Sequence, residues 1–387
     1  DEETRSSESY VNEYQRHFLN DEMISSPEDQ LKFTKEMLPS ITIQDLNNYF
    51  KKYIQAKNQI ISIKAPAYIK DLPNEAEIKK LFNEVANKAI KPYEFQLKEV
   101  ELIKEELIGS KIIKRVKYPK TKVVKLILKN GPEVYLKKTD FKKDEIQIRG
   151  FSSGGLSKAD DKQYLSAKYL DEIISQANVG ELTVSEKENL YPTTFVDLFP
   201  FVDGQEEGVN GYSNNEHLED MFKLLYVNFT DLRITQTHVD IFKEKRINQY
   251  NIDKENPDHA YNLEFVKKFF NDHPRTKSGT EELYNQINLK DLQDFYIDRF
   301  KDGGNFNFVI VGDFEFDEIE PLIEKYIGSL PSLNREDGYI DRGIRYNLGS
   351  EEVKYEQDNP KKAYVTRLYN KEFKNTVKER YKSYLLY

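Results

Sequence analysis

The chain has 387 residues, too many for one ordinary hydrophobic core, so two or three domains are expected. It is 38% hydrophobic and 13% aromatic with no cysteine, which supplies packed cores while excluding disulfide frameworks and thiolate metal sites. A formal net charge of −9 argues against nucleic acid as a main partner, and no apolar run approaches the ~18 residues of a membrane span.

Residues 6–56 read as helices. Tyr10, Tyr14, His17 and Phe18 share a face, and after Pro39 the residue Thr42 is placed to cap a further helix, with Asp45 at the capping-box position. Ile60, Ile61 and Ile63 predict a short strand ending at Pro66, and residues 74–89 an amphipathic helix. Residues 92–120 are charged, with weak periodicity, and look like a long linker. The basic stretch 111–125 (KIIKRVKYPKTKVVK) breaks the acidic pattern; it reads as solvated linker and strand edge rather than a binding patch, because no second basic segment supports it.

From Val123 the period becomes two. Val124, Leu126 and Leu128, then Asn130-Gly131, then Val134 and Leu136 predict a hairpin. A third strand is expected over 144–152, a helix over 160–177, and mainly helices from Asn215 to about Phe270. Residues 287–331 carry a signal at nearly every joint. Leu289, Leu292, Phe295, Tyr296 and Phe300 form a helical apolar face, Gly303-Gly304 stops it, and 306–311 reads as a buried strand. Gly312-Asp313 turns the chain, Asp317 is placed to cap a helix bearing Ile319, Leu322, Ile323 and Tyr326, and Gly328 and Pro331 close it. Residues 338–347 and 363–369 look like strands of another unit, with a helix from Thr376. The chain opens on Asp1-Glu2 rather than Met and stops inside that helix, so it reads as a segment of a longer protein.

A weaker copy of 287–311 lies near the N-terminus. ITIQDLNNYF from Ile41 lines up with INLKDLQDFY from Ile287 at an offset of 246 residues, and in both copies an apolar strand follows. Coincidence between two amphipathic helices is the alternative; a true repeat means a duplicated domain of more than ~200 residues.

These segments resemble the M16 zinc metallopeptidases, the pitrilysin and insulinase family. VIVGDF with the following helix and YIGSLP is similar to that family's strand, helix and exit from an odd-numbered domain; NGPEVYLKKTDFKKDEIQIRGFSSGGLS resembles its domain-opening hairpin, and HPRTKSGTEELYNQINLKDLQDFY its late helix pair. The N-terminal segment ESYVNEYQRHFLNDEMISSPEDQLKFTKEMLPSITIQDLNNYF resembles the end of the preceding domain. The resemblance implies α+β architecture: homologous two-layer domains of mostly antiparallel sheet packed on helices, of the M16 metallopeptidase (LuxS-like metallohydrolase) type. Four such domains in two halves would close as a clamshell on unfolded peptide. On that layout residues 1–90 end domain two, 91–120 are the inter-half linker, 121–332 are a complete non-catalytic domain three, and 333–387 begin domain four.

The family holds zinc with an H-x-x-E-H motif on one helix plus a later Glu, the motif's Glu polarising the metal-bound water. The equivalent helix here reads AKYLDEIISQANVG, without histidine. The five histidines, His17, His217, His238, His259 and His273, never stand at i, i+3 or i+4 from one another, so no metal, cofactor-binding or catalytic residue is assigned to this chain. Asp171-Glu172 fit a solvated helix face better than a catalytic dyad. The run from Asp313 through Asp317-Glu318 lacks the spacing of a calcium loop, and Gly154-Gly155 lacks that of a phosphate loop. Asn228-Phe229-Thr230 is a formal glycosylation sequon in helical sequence, expected to be unused. The Arg and Tyr that the family places on domain four are not assignable.

The expectation is the non-catalytic middle portion of a zinc endopeptidase. It would wall a chamber for unfolded or extended peptides beside the remaining domains of the same polypeptide, with zinc in the parent and none here. The alternatives are a non-catalytic M16-fold peptide-binding or assembly subunit, and an unrelated α+β scaffold with an accidental repeat. The resemblance further implies a bacterial, exported or periplasmic setting, without nucleic acid or a membrane span.

Overall fold

Helices α1 (Ser7–Asn20), α2 (Pro27–Met37) and α3 (Ile43–Ile54) open the computed structural model, which describes residues 5–54, 60–65, 69–89, 91, 101–333, 335, 337–354, 356, 365, 367–368 and 373–385. The chain divides into two compact units, Asp1–Gln96 and Leu97–Tyr387. In the first, sequence-encoded caps start each helix. Ser6 accepts from Ser9 N at 3.2 Å and Ser26 from Asp29 N at 3.1 Å. Thr42 and Asp45 form the expected box, Thr42 N donating to Asp45 Oδ2 at 2.9 Å and Asp45 N to Thr42 Oγ1 at 3.2 Å. Asn74 and Glu77 repeat that device ahead of α4 (Glu75–Ala86).

The strand expected at Ile60–Ile63 is not formed: residues 60–65 have no regular structure, Ile60 is 93% exposed, and Pro66 lies outside the described residues. A strand persists only against a neighbour, and no described residue of this unit supplies one. None of the unit's described residues is buried, so Leu46, Tyr49 and Phe50 of α3 all face outward.

The second unit is built on a seven-stranded sheet. Strands β1 (Ile112–Tyr118), β2 (Val123–Leu128) and β3 (Glu133–Lys138) form a meander and β4 (Ile146–Ser153) follows. Next come α5 (Asp161–Ala167), α6 (Leu170–Ile174), the short β5 (Asn178–Val179), α7 (Val184–Leu190), β6 (Val196–Val202) and β7 (Glu206–Ser213). After α8 (Leu218–Thr230) a short β8 (Leu232–Arg233) pairs with β5, and α9 (Gln236–Asp253), α10 (Pro257–Phe269), α11 (Glu281–Gln286) and α12 (Leu289–Phe300) lead to β9 (Asn307–Gly312). The described elements close with α13 (Phe316–Tyr326) and α14 (Val377–Tyr384). The spatial order is β1-β2-β3-β9-β4-β7-β6, antiparallel throughout except where β9 lies parallel to β3.

The predicted 124–136 hairpin and the 287–331 unit are present, and α3 and α12 share both boundaries at the offset of 246 residues. Burial separates the copies: Leu292, Phe295 and Tyr296 of α12 are at most 3% exposed, whereas Leu46, Tyr49 and Phe50 are at least 51% exposed. Among the described residues, only the second copy has a sheet to pack on.

Four expectations need correction. Residues 112–118, read as linker, are the edge strand β1, and Leu102, Ile103 and Leu107 before it pack on the core. The 160–177 helix is broken at Tyr169, whose ring sits 5.4 Å from that of Phe242 and 5.5 Å from that of Tyr284, so contacts with α9 and α11 override local helical propensity. Asp317 does not cap α13; Glu315 holds the cap position and Asp317 lies in the first turn, where its charge favours the helix dipole. Residues 338–347 are not strand but an irregular strap, and those of 363–369 that are described also form none.

The strap is tied down at several points. Ile340 N donates to Ser157 Oγ at 2.8 Å, Arg342 donates to the Ser157 and Ala159 carbonyls at 2.7 and 2.9 Å, and Asn347 N donates to Phe269 O at 2.8 Å. At its start lies a buried ion cluster. Arg299, 3% exposed, faces Asp298 at 2.5 Å, Asp337 at 3.4 Å and Glu207 at 3.7 Å, while Lys158 holds Asp337 at 3.1 Å and Arg335 reaches it at 3.3 Å. Burial pushes the Glu207 carboxyl up to about 6, opposed by the Gly155 N–H and Arg299 and reinforced by Asp337.

Gly155 N donates to Glu207 Oε2 at 2.5 Å from a left-handed conformation, φ 53°, and a Cβ there would lie 2.2 Å from Asp203 O. Gly155→Ala is therefore expected to destabilise the second unit by ~1–3 kcal/mol, measured by urea unfolding. An unchanged midpoint would show that the turn tolerates a side chain.

Candidate functional site

Strand alternation gives the sheet a covered face and an open one. Leu126, Leu136, Ile148, Ile310, Leu198 and Val209 point into the core. Lys125, Tyr135, Val309, Arg149, Asn210 and Phe199 form one continuous cross-strand row on the other side, and none of them is buried.

Polar groups on the open face are wired in the plane of the sheet. Lys125 Nζ meets Glu133 Oε1 at 2.6 Å, and Tyr135 OH donates to Glu133 Oε2 at 2.7 Å. The Glu133 hydrogen bond raises the Lys125 pKa and so keeps that ammonium charged. Arg149 donates to Glu206 at 2.5 Å and Asn210 at 3.0 Å while lying 4.9 Å over the Phe201 ring. Phe199 and Tyr212 add a pair of rings 6.2 Å apart. Gly208 makes room for this layer, since a Cβ there would lie 2.8 Å from the Phe201 ring. At one end a cleft of about 580 Å³ opens between Phe151, Ser152, Glu206, Asn307 and Tyr339. Such a face offers aromatic contact and hydrogen bonding to an extended chain.

The helix expected to correspond to the zinc-bearing one is α6 with its flanks, and its residues do not fit a metal. Lys168 donates to Lys277 O at 2.7 Å. Asp171 accepts from Val202 N at 3.2 Å, its pKa raised by burial. Glu172 is engaged by Arg246 and, at 3.3 Å, by Lys245. The two carboxylates thus neither form a dyad nor sit on a solvated face; one bonds to a backbone amide at the end of β6 and the other ties α6 to α9. Among the described residues no group of three or more His, Cys, Asp or Glu is placed to hold a metal ion.

Each histidine has a local contact. His17 lies 2.6 Å from Glu22 O, His217 Nδ1 lies 3.0 Å from Asp220, His238 Nδ1 accepts from Thr235 N, and His259 packs edge-on to Tyr250. His273 spans Arg275 N and the strap's Arg342 O, at 3.2 and 3.0 Å. Asn228 is 1% exposed and donates to Leu224 O at 2.8 Å, so the sequon nitrogen is buried in α8. Asp313 accepts from Asp144 N at 3.2 Å and Glu315 pairs with Lys138, which assigns the acidic run to loop and helix-start contacts.

Two features escaped the sequence reading. Pro200 and three glycines disguise the β6–β7 hairpin. Arg299 was legible: it falls at i+7 from Leu292 on the apolar face of α12, a core position occupied by a charge.

Residues 286–386 match the family Peptidase M16 inactive domain. The chain is 24% identical over 348 residues to the "Zinc protease PQQL-like" protein of Arabidopsis thaliana, covering 86% of this chain and 33% of that one. To the "Probable zinc protease PqqL" of Haemophilus influenzae it is 20% identical over 323 residues, covering 81% and 34%. It therefore spans about a third of the length of these curated relatives. Among solved structures, the periplasmic protease PqqL from Escherichia coli matches with a TM-score of 0.58 at 20% identity, over 90% of this chain and 38% of that one. The ferredoxin protease FusC, a mutant in complex with Arabidopsis ferredoxin, matches with a TM-score of 0.54 at 16% identity, over 88% and 38%. With its mixed α+β architecture and these matches, the chain is similar to M16 peptidases, and residues 286–386 match that family's inactive domain.

Proposed function

We propose that this chain is the non-catalytic middle portion of a zinc-dependent M16 endopeptidase. Its open sheet face walls a chamber for unfolded or extended polypeptide, and hydrolysis is carried out by an H-x-x-E-H domain elsewhere in the parent. The observation that carries this reading is the row from Lys125 to Phe199, side chains set across the sheet and uncovered by any described helix, while the α6 carboxylates on the other side are committed to other partners.

The domain layout we propose is 1–90, the end of one M16-like domain; 91–120, a connection; 121–332, a complete domain; and 333–387, the start of another. The shared boundaries of α3 and α12 and the unburied stripe of α3 support it, because the same sequence pattern is fully packed where a sheet is present. Export to a bacterial periplasm is proposed from the E. coli neighbour, described as periplasmic. No described helix is long and apolar enough to cross a membrane.

Photo-crosslinking tests the chamber role. With benzoylphenylalanine in place of Phe199, an unfolded polypeptide is expected to crosslink several-fold more strongly than with the same group at Ile241, an exposed residue of α9. Equal yields at both sites would remove the assignment of the open face.

A further inference from the structure

The basic stretch 111–125 has a use that its reading as a solvated edge leaves out. β1 pairs with β2 on one side and with no described strand on the other, so it is a free edge of the sheet. Its sequence, IIKRVKY, has β-branched and aromatic residues, no proline and no acid. Ile113 and Tyr118 are 63% and 43% exposed along it. Some of its cations are neutralised within the fold: Lys111 by Glu324 at 2.7 Å, Arg115 by Glu320 at 2.5 Å and Lys125 by Glu133 at 2.6 Å.

Lys114 and Lys117 on β1, and Lys120 and Lys122 in the turn after it, are exposed and make no ion pair with any described residue. Lys114 lies opposite Ile127 on the open face and Lys117 opposite Val124 on the helix-covered face, so uncompensated charge flanks both sides of one strand. This occurs in a chain of net charge −9. The opposite edge differs: β6 carries Pro200, has no Lys or Arg, and its Asp197 is already held by Lys187 at 2.6 Å.

We infer that the free edge of β1 is a docking strand for an extended acidic polypeptide segment, which adds to the sheet as an eighth strand. Main-chain hydrogen bonds to the unpaired edge supply the binding mode, and the four lysines supply selectivity. The same lysines repel another copy of this basic edge, which keeps the strand open without closing it to an acidic partner. The site adjoins the start of the proposed chamber row, where Lys125 lies opposite Val116, but stands without that proposal: loss of crosslinking at Phe199, on the opposite edge strand, leaves binding at β1 untouched.

The test is fluorescence anisotropy of the full chain with a short labelled peptide rich in glutamate, valine and threonine. Four comparison probes are a glutamine isostere, two forms of the acidic peptide N-methylated at alternate backbone nitrogens, one in each register, and an oligothymidylate of similar charge. Binding of the acidic peptide is expected, with at least ~10-fold weaker binding of the glutamine isostere and of one methylated register, and a comparable loss in Lys114→Glu/Lys117→Glu. Equal binding of both methylated peptides would reduce the site to charge attraction and overturn the strand-addition claim. Tighter binding of the oligonucleotide would assign the edge to nucleic acid instead. Unchanged binding in the folded charge-reversal variant would also refute the proposal.

Discussion

Replacing Arg299 with alanine is expected to lower the stability of the second unit by ~3–5 kcal/mol, because it strips the partner from buried charges and leaves them uncompensated. Arg299 is 3% exposed and its partner Glu207 1%, and no solvent is at hand to replace the guanidinium. The loss should also free the strap, since among the described residues Asp337 would then be held only by Lys158 and Arg335. Urea unfolding gives the first effect, and hydrogen exchange of residues 337–347 the second. A cost below about 1 kcal/mol would mean that water enters and solvates the cluster.

The same cluster gives a pH dependence of defined sign. Glu207 has a folded pKa of about 6 against a reference of 4.5, so the folded state binds its proton more tightly than the unfolded chain. Its penalty is absent below the unfolded value, grows as pH rises through the interval between the two, and levels at ~2 kcal/mol above it. Glu207→Gln should flatten that part of the stability profile. Asp298 acts oppositely: burial opposes its ionisation, but Lys301 and Arg299 hold it down at about 2, so its contribution is lost only in stronger acid.

The second large effect uses the repeat as its own control. Phe295→Ala should cost ~3–5 kcal/mol, because a ring 2% exposed leaves a cavity beneath the sheet. Tyr49→Ala, at the matching position of α3, should cost no more than ~0.5 kcal/mol in this chain, since Tyr49 is 55% exposed. Thermal unfolding of the two variants checks the contrast. In a longer parent that supplies a sheet to α3, Tyr49→Ala should become costly as well. Similar costs for both variants in this chain would show that α3 is already packed.

Local rules carried the reading where structure is local. The cap at Thr42, the Asn130-Gly131 turn and the apolar face of α12 each follow from a few neighbouring residues. What was not legible depends on distant partners. Ile60–Ile63 has a strand pattern but lacks a neighbouring strand, and the 160–177 helix breaks because α9 and α11 hold the Tyr169 ring. The open face could not be read from any one strand. Its row exists only because β9, from the far end of the sequence, lies between β3 and β4.

The family resemblance was carried by order and spacing rather than by any one motif, and it fits a chain that spans about a third of its relatives. Site chemistry was legible mainly as a lack of paired histidines. The structure adds where the two carboxylates of α6 go, Asp171 to Val202 N and Glu172 to Arg246.

Zinc content tests the central claim most directly. The purified chain, equilibrated with excess zinc and desalted, should carry well under one zinc per chain by plasma emission spectrometry. One equivalent of tightly held zinc, lost on substituting a histidine, would contradict the assignment of this chain to the non-catalytic part of an M16 peptidase.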